Sequence, residues 1–210
     1  MRFFSVDNVV WRSIAKLGQI WVLDLLWLLC CLPVITIGAS TTALIYSCMK
    51  LHKDEGHILS NFFKSFKENF LQATGIWLIY AVVGALLAGN LIFWNQMDNS
   101  SVKFMWILTV ALLIPYFASL VYVFAIQAKF IHTVPQTIHY AIVMAIKHWK
   151  TTLQMVIILG LVLYLDLFTI NLAAYATLFY GAGAIAYIFA LYQSNVFEHY
   201  SPKDEPEWED

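Results

Sequence analysis

The sequence predicts an all-α protein, a polytopic transmembrane helical bundle. It has five full spans plus a short return arm broken at Pro33 and Gly38, six segments in all, with two interfacial amphipathic helices on the cytoplasmic side. Three observations predict it. The 210 residues are 61% hydrophobic and 12% charged, with a mean hydropathy of +0.72. A soluble domain is ~45–50% apolar and ~25% charged. The apolar residues come in runs close to the ~20 residues that one helical crossing needs. The 12 Lys and Arg residues flank those runs, and one threading of the chain gathers nearly all of them on a single face.

The N-terminus carries Arg2, Arg12 and Lys16 ahead of an apolar run over residues 17–37, which ends in the small residues Gly38, Ala39 and Ser40. A cleavable signal has an apolar region of only ~7–15 residues, so this run is read as a retained span. Pro33 has no amide hydrogen and Gly38 is a weak helix former, so a break is expected there. Ser40 and Thr41 then stand where they would cap a short helix over residues 42–50.

Two threadings compete, a single crossing followed by a surface helix, or a hairpin that returns to its starting side. The hairpin places Arg2, Arg12, Lys16, Lys50, Lys53, Lys64, Lys67, Lys129, Lys147, Lys150 and Lys203 on one face and leaves Lys103 opposite. The single crossing moves Arg2, Arg12 and Lys16 across to join Lys103. Positive charge in short loops stays cytoplasmic, so the hairpin is preferred, with both termini inside. A return arm of about 14 residues is short for a crossing, and full recrossing and a re-entrant loop both stay open.

The later spans are expected at residues 71–94, 104–128, 152–169 and 172–193, with a polar stretch at 95–103 and a very short turn near Asn171. Two of the inside connectors are patterned. Phe62, Phe63, Phe66 and Phe70 recur at three- and four-residue spacing behind Ser60, while Lys64, Lys67 and Glu68 fall elsewhere around the helix. Ile138, Ile142, Ala145 and Trp149 make a similar stripe behind Pro135, which suits a first helical turn. Phe62, Phe63, Phe66, Phe70 and Trp149 are the expected membrane-interface anchors. Each connector runs straight into a span. Such a recurrence is what a duplicated half leaves, and also what two ordinary connectors look like. Residues 198–210 contain Pro202, Pro206 and the acidic Glu198, Asp204, Glu205, Glu207, Glu209 and Asp210, a composition that buries nothing. One transmembrane domain over residues 1–197 and a disordered cytoplasmic tail are expected.

The net charge of −1 argues against nucleic acid as a partner, because phosphate binding needs concentrated positive charge. Cys30, Cys31 and Cys48 lie in apolar runs and read as small packers, with no disulfide framework and no zinc motif. His52, His57, His132, His139 and His148 include no pair four apart with a second ligand, so no metal site is expected. Nucleophile elbow, Walker loop and dinucleotide fingerprint are all missing, so neither an enzyme nor a cofactor is expected.

Asp24 and Asp166 are the acidic residues that fall inside expected spans. A carboxylate in hydrocarbon costs a few kcal/mol, so each is a functional candidate by default. Counted at ~1.5 Å per residue, Asp24 lies roughly 10 Å in from the inner end and Asp166 roughly 20 Å in. Thr36, Ser40 and Asn171 complete a candidate polar or solute site. The plainer readings are a hydrogen bond from Asp24 to a Trp or Thr of a neighbouring helix, and an Asp166 that reaches outer water. Asn90, Thr109 and Gln193 are candidates to bridge helices, and Gly84, Ala85, Ala88 and Gly89 for close packing.

Phe3-Phe4-Ser5 with Asn8 and Trp11, the run from Leu25-Leu26-Trp27 through Cys30-Cys31-Leu32-Pro33-Val34-Ile35-Thr36-Ile37-Gly38-Ala39-Ser40-Thr41-Thr42 to Leu44, and Phe62-Phe63-Lys64-Ser65-Phe66-Lys67-Glu68-Asn69-Phe70 resemble the YesL family of bacterial membrane proteins. The resemblance covers about the first third of the chain. It implies a bacterial cytoplasmic-membrane protein of unknown biochemical activity, whose relatives are often encoded near carbohydrate-uptake transporters and polysaccharide-degrading enzymes. It carries over no catalytic residue, and it implies Asn as a common residue at the position of Asp24. Two functions are then expected to compete. One is a non-enzymatic accessory or regulatory component in the lipid bilayer, partnered with a carbohydrate transporter or sensor subunit. The other is a small-solute transporter or channel built on the broken first segment and Asp24.

Overall fold

The computed structural model describes residues 9–96, 100–168, 181–198 and 200. Among them the chain is helical throughout, with no strand: α1 (Val9–Cys31), a 3-10 turn (Val34–Thr36), α2 (Ile37–His52), α3 (Ile58–Asn95), α4 (Ser100–Lys129), α5 (Val134–Lys147), α6 (Trp149–Phe168) and α7 (Ala182–Glu198). Among the described residues four stretches are long and apolar enough to cross a membrane: Ile14–Cys31, Val34–His52, Ile58–Asn95 and Lys103–Lys129. The pair α5 and α6, bent by 98°, makes a fifth if it counts as one span. Long apolar helices of this kind are consistent with a membrane protein. The expected turn at Asn171, the part of the expected 172–193 span before residue 181, and residues 201–210 lie outside the described residues.

α1 and α2 form an antiparallel hairpin. Lys16 Nζ, near the start of α1, lies 2.8 Å from Asp54 Oδ1, just past the end of α2. Nearer the turn, Trp27 Nε1 donates to Thr41 Oγ1 at 3.2 Å. The reversal itself is closed by Thr36, whose amide donates to Pro33 O at 2.9 Å and whose hydroxyl donates to Pro33 O at 2.6 Å and also to Cys30 O.

The break therefore falls at Pro33, and Gly38 does not contribute to it: Gly38 lies in the first turn of α2. Ser40 and Thr41 do not cap this helix either, because it starts five residues earlier than the expected residue 42, at Ile37. The return arm is accordingly longer than expected. Val34–His52 spans 19 residues, about 28 Å at helical rise, close to a hydrocarbon thickness. More than half of it is buried, and it packs on α1, α3, α4 and α7 at the centre of the bundle.

Gly38 permits that central position. A Cβ there would run into the backbone oxygen of Ala73 and come within 2.7 Å of Trp77 Cβ, so only glycine lets α2 lie this close to α3.

The expected interfacial helix over residues 60–70 is not a separate element. It is the first three turns of α3, 38 residues long, about 57 Å against the ~30 Å of bilayer hydrocarbon. Of its four phenylalanines, Phe62 is fully buried in the core and cannot anchor in lipid, whereas Phe63 is 45% exposed. Phe66 packs beside Phe62 with ring centroids 6.3 Å apart. The second patterned connector does fold apart from its span. Thr133 and Gln136 form a capping box, Pro135 sits in the first turn of α5, and the chain turns through 98° into α6. The two patterned stretches thus end differently, one continuous with its span and one set across it.

The outer faces are apolar: Leu71, Val82, Leu86 and Ile114 are exposed, while Ser40, Thr42, Ser47, Gln127, Thr137 and Gln193 are buried. Polar groups face inward, where other helices can satisfy them, as expected where the surroundings are lipid.

Candidate functional site

Asp24 lies on α1 and is fully buried. Its Oδ1 accepts the backbone N–H of Gly183 at 2.8 Å, from the first turn of α7. Gly181, just before α7, has π-helical geometry. A π turn displaces backbone donors from their regular partners four residues back, which makes this a natural place for a side chain from another helix to accept one. Gly183 has to be small for the contact: a Cβ there would lie 2.8 Å from Ile20 O and 3.1 Å from Asp24 Cβ. The partner is thus neither a Trp nor a Thr but a backbone amide. Trp27 and Thr41 satisfy each other instead.

Of the other members of the expected polar site, neither Thr36 nor Ser40 hydrogen-bonds to Asp24. Thr36 closes the tip of the hairpin with its hydroxyl on Pro33 O and Cys30 O. Ser40 is fully buried one turn into α2. The side chain of Asp166, and Asn171 altogether, lie outside the described residues. A cleft of about 490 Å³ lies elsewhere, between α1 and the start of α3, lined by Ala15, Gly18, Gln19, Val22, His57, Ile58 and Leu59. Among the described residues no group of three or more His, Cys, Asp or Glu is gathered as a metal site would require.

Two further polar networks join helices elsewhere in the bundle. Gln127 on α4 donates to Asn69 Oδ1 at 2.9 Å and to Gln72 Oε1 at 2.8 Å on α3, and its Oε1 accepts from Thr137 Oγ1 of α5 at 3.3 Å. Three helices are pinned through one buried amide. Further along, Tyr116 Oη donates to Tyr80 O at 3.0 Å, Tyr80 Oη to Ser119 Oγ at 3.0 Å, and Ser119 Oγ to Tyr116 O at 2.9 Å. Pro115 lies inside α4 immediately before this cluster. Gly84 makes room for it, since a Cβ there would meet the Tyr116 hydroxyl at 2.5 Å.

Residues 20–91 match the family model of a protein of unknown function, DUF624. The match covers about a third of the chain and takes in the second half of α1 with Asp24, the turn at Pro33, all of α2 with Gly38, and most of α3. Both partners of the Gly38–Ala73 approach fall inside it, whereas Gly183 and Gln127 fall outside. No curated protein and no solved structure matches the chain.

Gln193 does bridge helices, donating from Nε2 to Val121 O at 2.8 Å. Asn90 and Thr109 instead donate back to their own helices, to Leu86 O and Met105 O. Sequence reasoning passed over Gln127, Asn69 and Gln72. The available signal was an amide in the last turns of an otherwise apolar span, where a polar side chain is costly unless another helix satisfies it.

Proposed function

We infer that this chain is a multi-pass protein of a bacterial cytoplasmic membrane, with both termini inside. In this reading it acts without enzymatic activity as an accessory or regulatory partner of a carbohydrate-uptake system. The observation that carries the accessory reading is the closed state of Asp24, which is fully buried and occupied by the Gly183 amide. A solute path needs its in-membrane carboxylate to line a cavity; here the carboxylate locks two helices together. The link to carbohydrate uptake rests on the YesL resemblance of the first third of the chain. Affinity capture of the tagged protein from gently solubilised native membranes tests it. Repeated recovery of a transporter or sensor subunit is expected, and recovery of neither would end this reading.

A specific observation keeps the second reading, a small-solute transporter or channel. Asp24 Oδ2 and Ser47 Oγ are buried with no hydrogen-bond partner among the described residues. Unmatched polar atoms in a core are where a small ligand would be received. A thermal-shift screen of the purified protein against monosaccharides, oligosaccharides and common cations tests this reading. A saturable shift lost in Asp24→Ala supports it, and a flat response across the panel refutes it.

A further inference from the structure

The elbow between α5 and α6 carries a feature the accessory reading does not use. α5 leaves α6 at 98°, so an α6 along the membrane normal lays α5 in the plane of the membrane surface. The face of α5 packed on the bundle is made of small side chains, with Thr137, Ala141 and Ala145 buried. Beyond the exposed His139, its outward face is apolar: Ile142, Val143 and Ile146 are exposed, as is Trp149 at the start of α6.

This differs by roughly one residue of helical rotation from the stripe expected to face lipid, because Ala141 and Ala145 allow the closer approach to α4. The elbow is rigid. Thr152 Oγ1 donates to Ala145 O at 2.9 Å and to His148 O at 3.0 Å, tying the end of α5 to the start of α6.

Charge distinguishes this elbow from an ordinary apolar face. Lys147 and Lys150 flank His148 and Trp149, and the chain has no Asp or Glu between Lys129 and Lys150. Lys147 Nζ lies 4.9 Å from the centroid of the Tyr200 ring and Lys150 Nζ 6.0 Å from that of Trp149. The Trp149 ring holds the Lys150 ammonium and the Tyr200 ring that of Lys147, on either side of His148 and the exposed tryptophan in the chain, and tryptophan sits at headgroup depth.

We propose that the α5–α6 elbow is a binding site for anionic phospholipid, with the Lys147 and Lys150 ammonium groups on the headgroup phosphate and with Ile142, Ile146 and Trp149 in the acyl boundary. Zwitterionic lipid fills the apolar part equally but offers no net charge to the lysines. The site therefore discriminates by headgroup.

The test is a lipid titration of the detergent-purified, full-length protein, read as the rise in its apparent melting temperature. Dioleoylphosphatidylglycerol and dioleoylphosphatidylcholine are compared. Phosphatidylglycerol is expected to act at the lower concentration. Lys147→Gln with Lys150→Gln is expected to raise its midpoint roughly 30-fold, about fivefold for each surface lysine. Arginine at both positions should restore the wild-type midpoint, which separates loss of charge from loss of fold. Lys103→Gln, remote from the elbow in the chain, should leave the midpoint unchanged. Equal midpoints for the two lipids, or a double glutamine variant that keeps the wild-type midpoint, would overturn the proposal. So would a wild type indifferent to phosphatidylglycerol alongside a chain ended at Tyr200 that prefers it, because the face would then belong to the protein's own acidic tail.

Discussion

Asp24 and Gly183 stand 159 residues apart in the chain and 2.8 Å apart in space, carboxylate oxygen to backbone amide. The contact closes the bundle by holding the first helix against the last. Substituting Asp24 separates a structural acceptor from an ionisable group. Asn keeps an oxygen for the Gly183 amide, so Asp24→Asn is expected to melt within about 1 kcal/mol of wild type. Asp24→Ala leaves a buried donor unmatched and is expected to cost about 1–3 kcal/mol. Thermal melting of the purified variants checks both, and an Asn variant as damaged as the Ala variant would show that charge, not acceptance, matters.

Gly38 offers a sharper steric test. A methyl group at Gly38 meets the backbone of Ala73, which cannot rotate away, and Gly38→Ala is expected to lose about 1–3 kcal/mol through forced separation of α2 and α3. Gly75 has nothing within 4 Å of the same added atom and lies within a helix. Gly75→Ala is expected to be neutral or to gain about 0.5–1 kcal/mol. Parallel melting curves distinguish packing from helix propensity.

The hairpin can be tested by chemical access. With Cys30, Cys31 and Cys48 replaced by Ala, Lys16→Cys and Asp54→Cys are expected to react with a membrane-impermeant maleimide from one side of sealed vesicles. Leu32→Cys, at the turn and 78% exposed, should react from the other. Labelling of residues 16 and 54 from opposite sides would refute the paired threading. The ion pair itself contributes little: Asp54 is two-thirds exposed, and such pairs are worth about 0–1 kcal/mol.

Gln127 is expected to be the most sensitive polar position outside the Asp24 contact. Gln127→Leu keeps the volume but takes the Gln127 donor away from Asn69 Oδ1 and Gln72 Oε1, and a loss of about 1–3 kcal/mol is expected on melting. Thr137 Oγ1 keeps its bond to Thr133 O at 3.2 Å in that variant, so adding Thr137→Val is not expected to restore stability.

The helical class was legible because hydrocarbon demands long apolar runs, and runs of that length are visible in any sequence. Pro33 was readable as a break for a local reason, its missing amide. The central place of α2 was not. Its Ser40, Thr42 and Ser47 help make it the least apolar of the four candidate spans among the described residues, and from sequence that looks like a weak arm. In the bundle the same residues are buried against four helices, where small size matters more than affinity for lipid. Phe62 misled in the opposite direction. Its spacing is that of a lipid-facing stripe, and only the neighbouring elements turn it inward.

By itself, then, the sequence determined the all-helical class, the apolar runs, the Pro33 break and the charge asymmetry that favours a hairpin, all properties set by residues near one another in the chain. Tertiary structure alone decided that Asp24 meets Gly183, that Gly38 admits Ala73, and that Gln127 joins three helices. Those contacts depend on which faces of distant helices pack together, and that choice is made by the fit of many side chains at once, which no local spacing records.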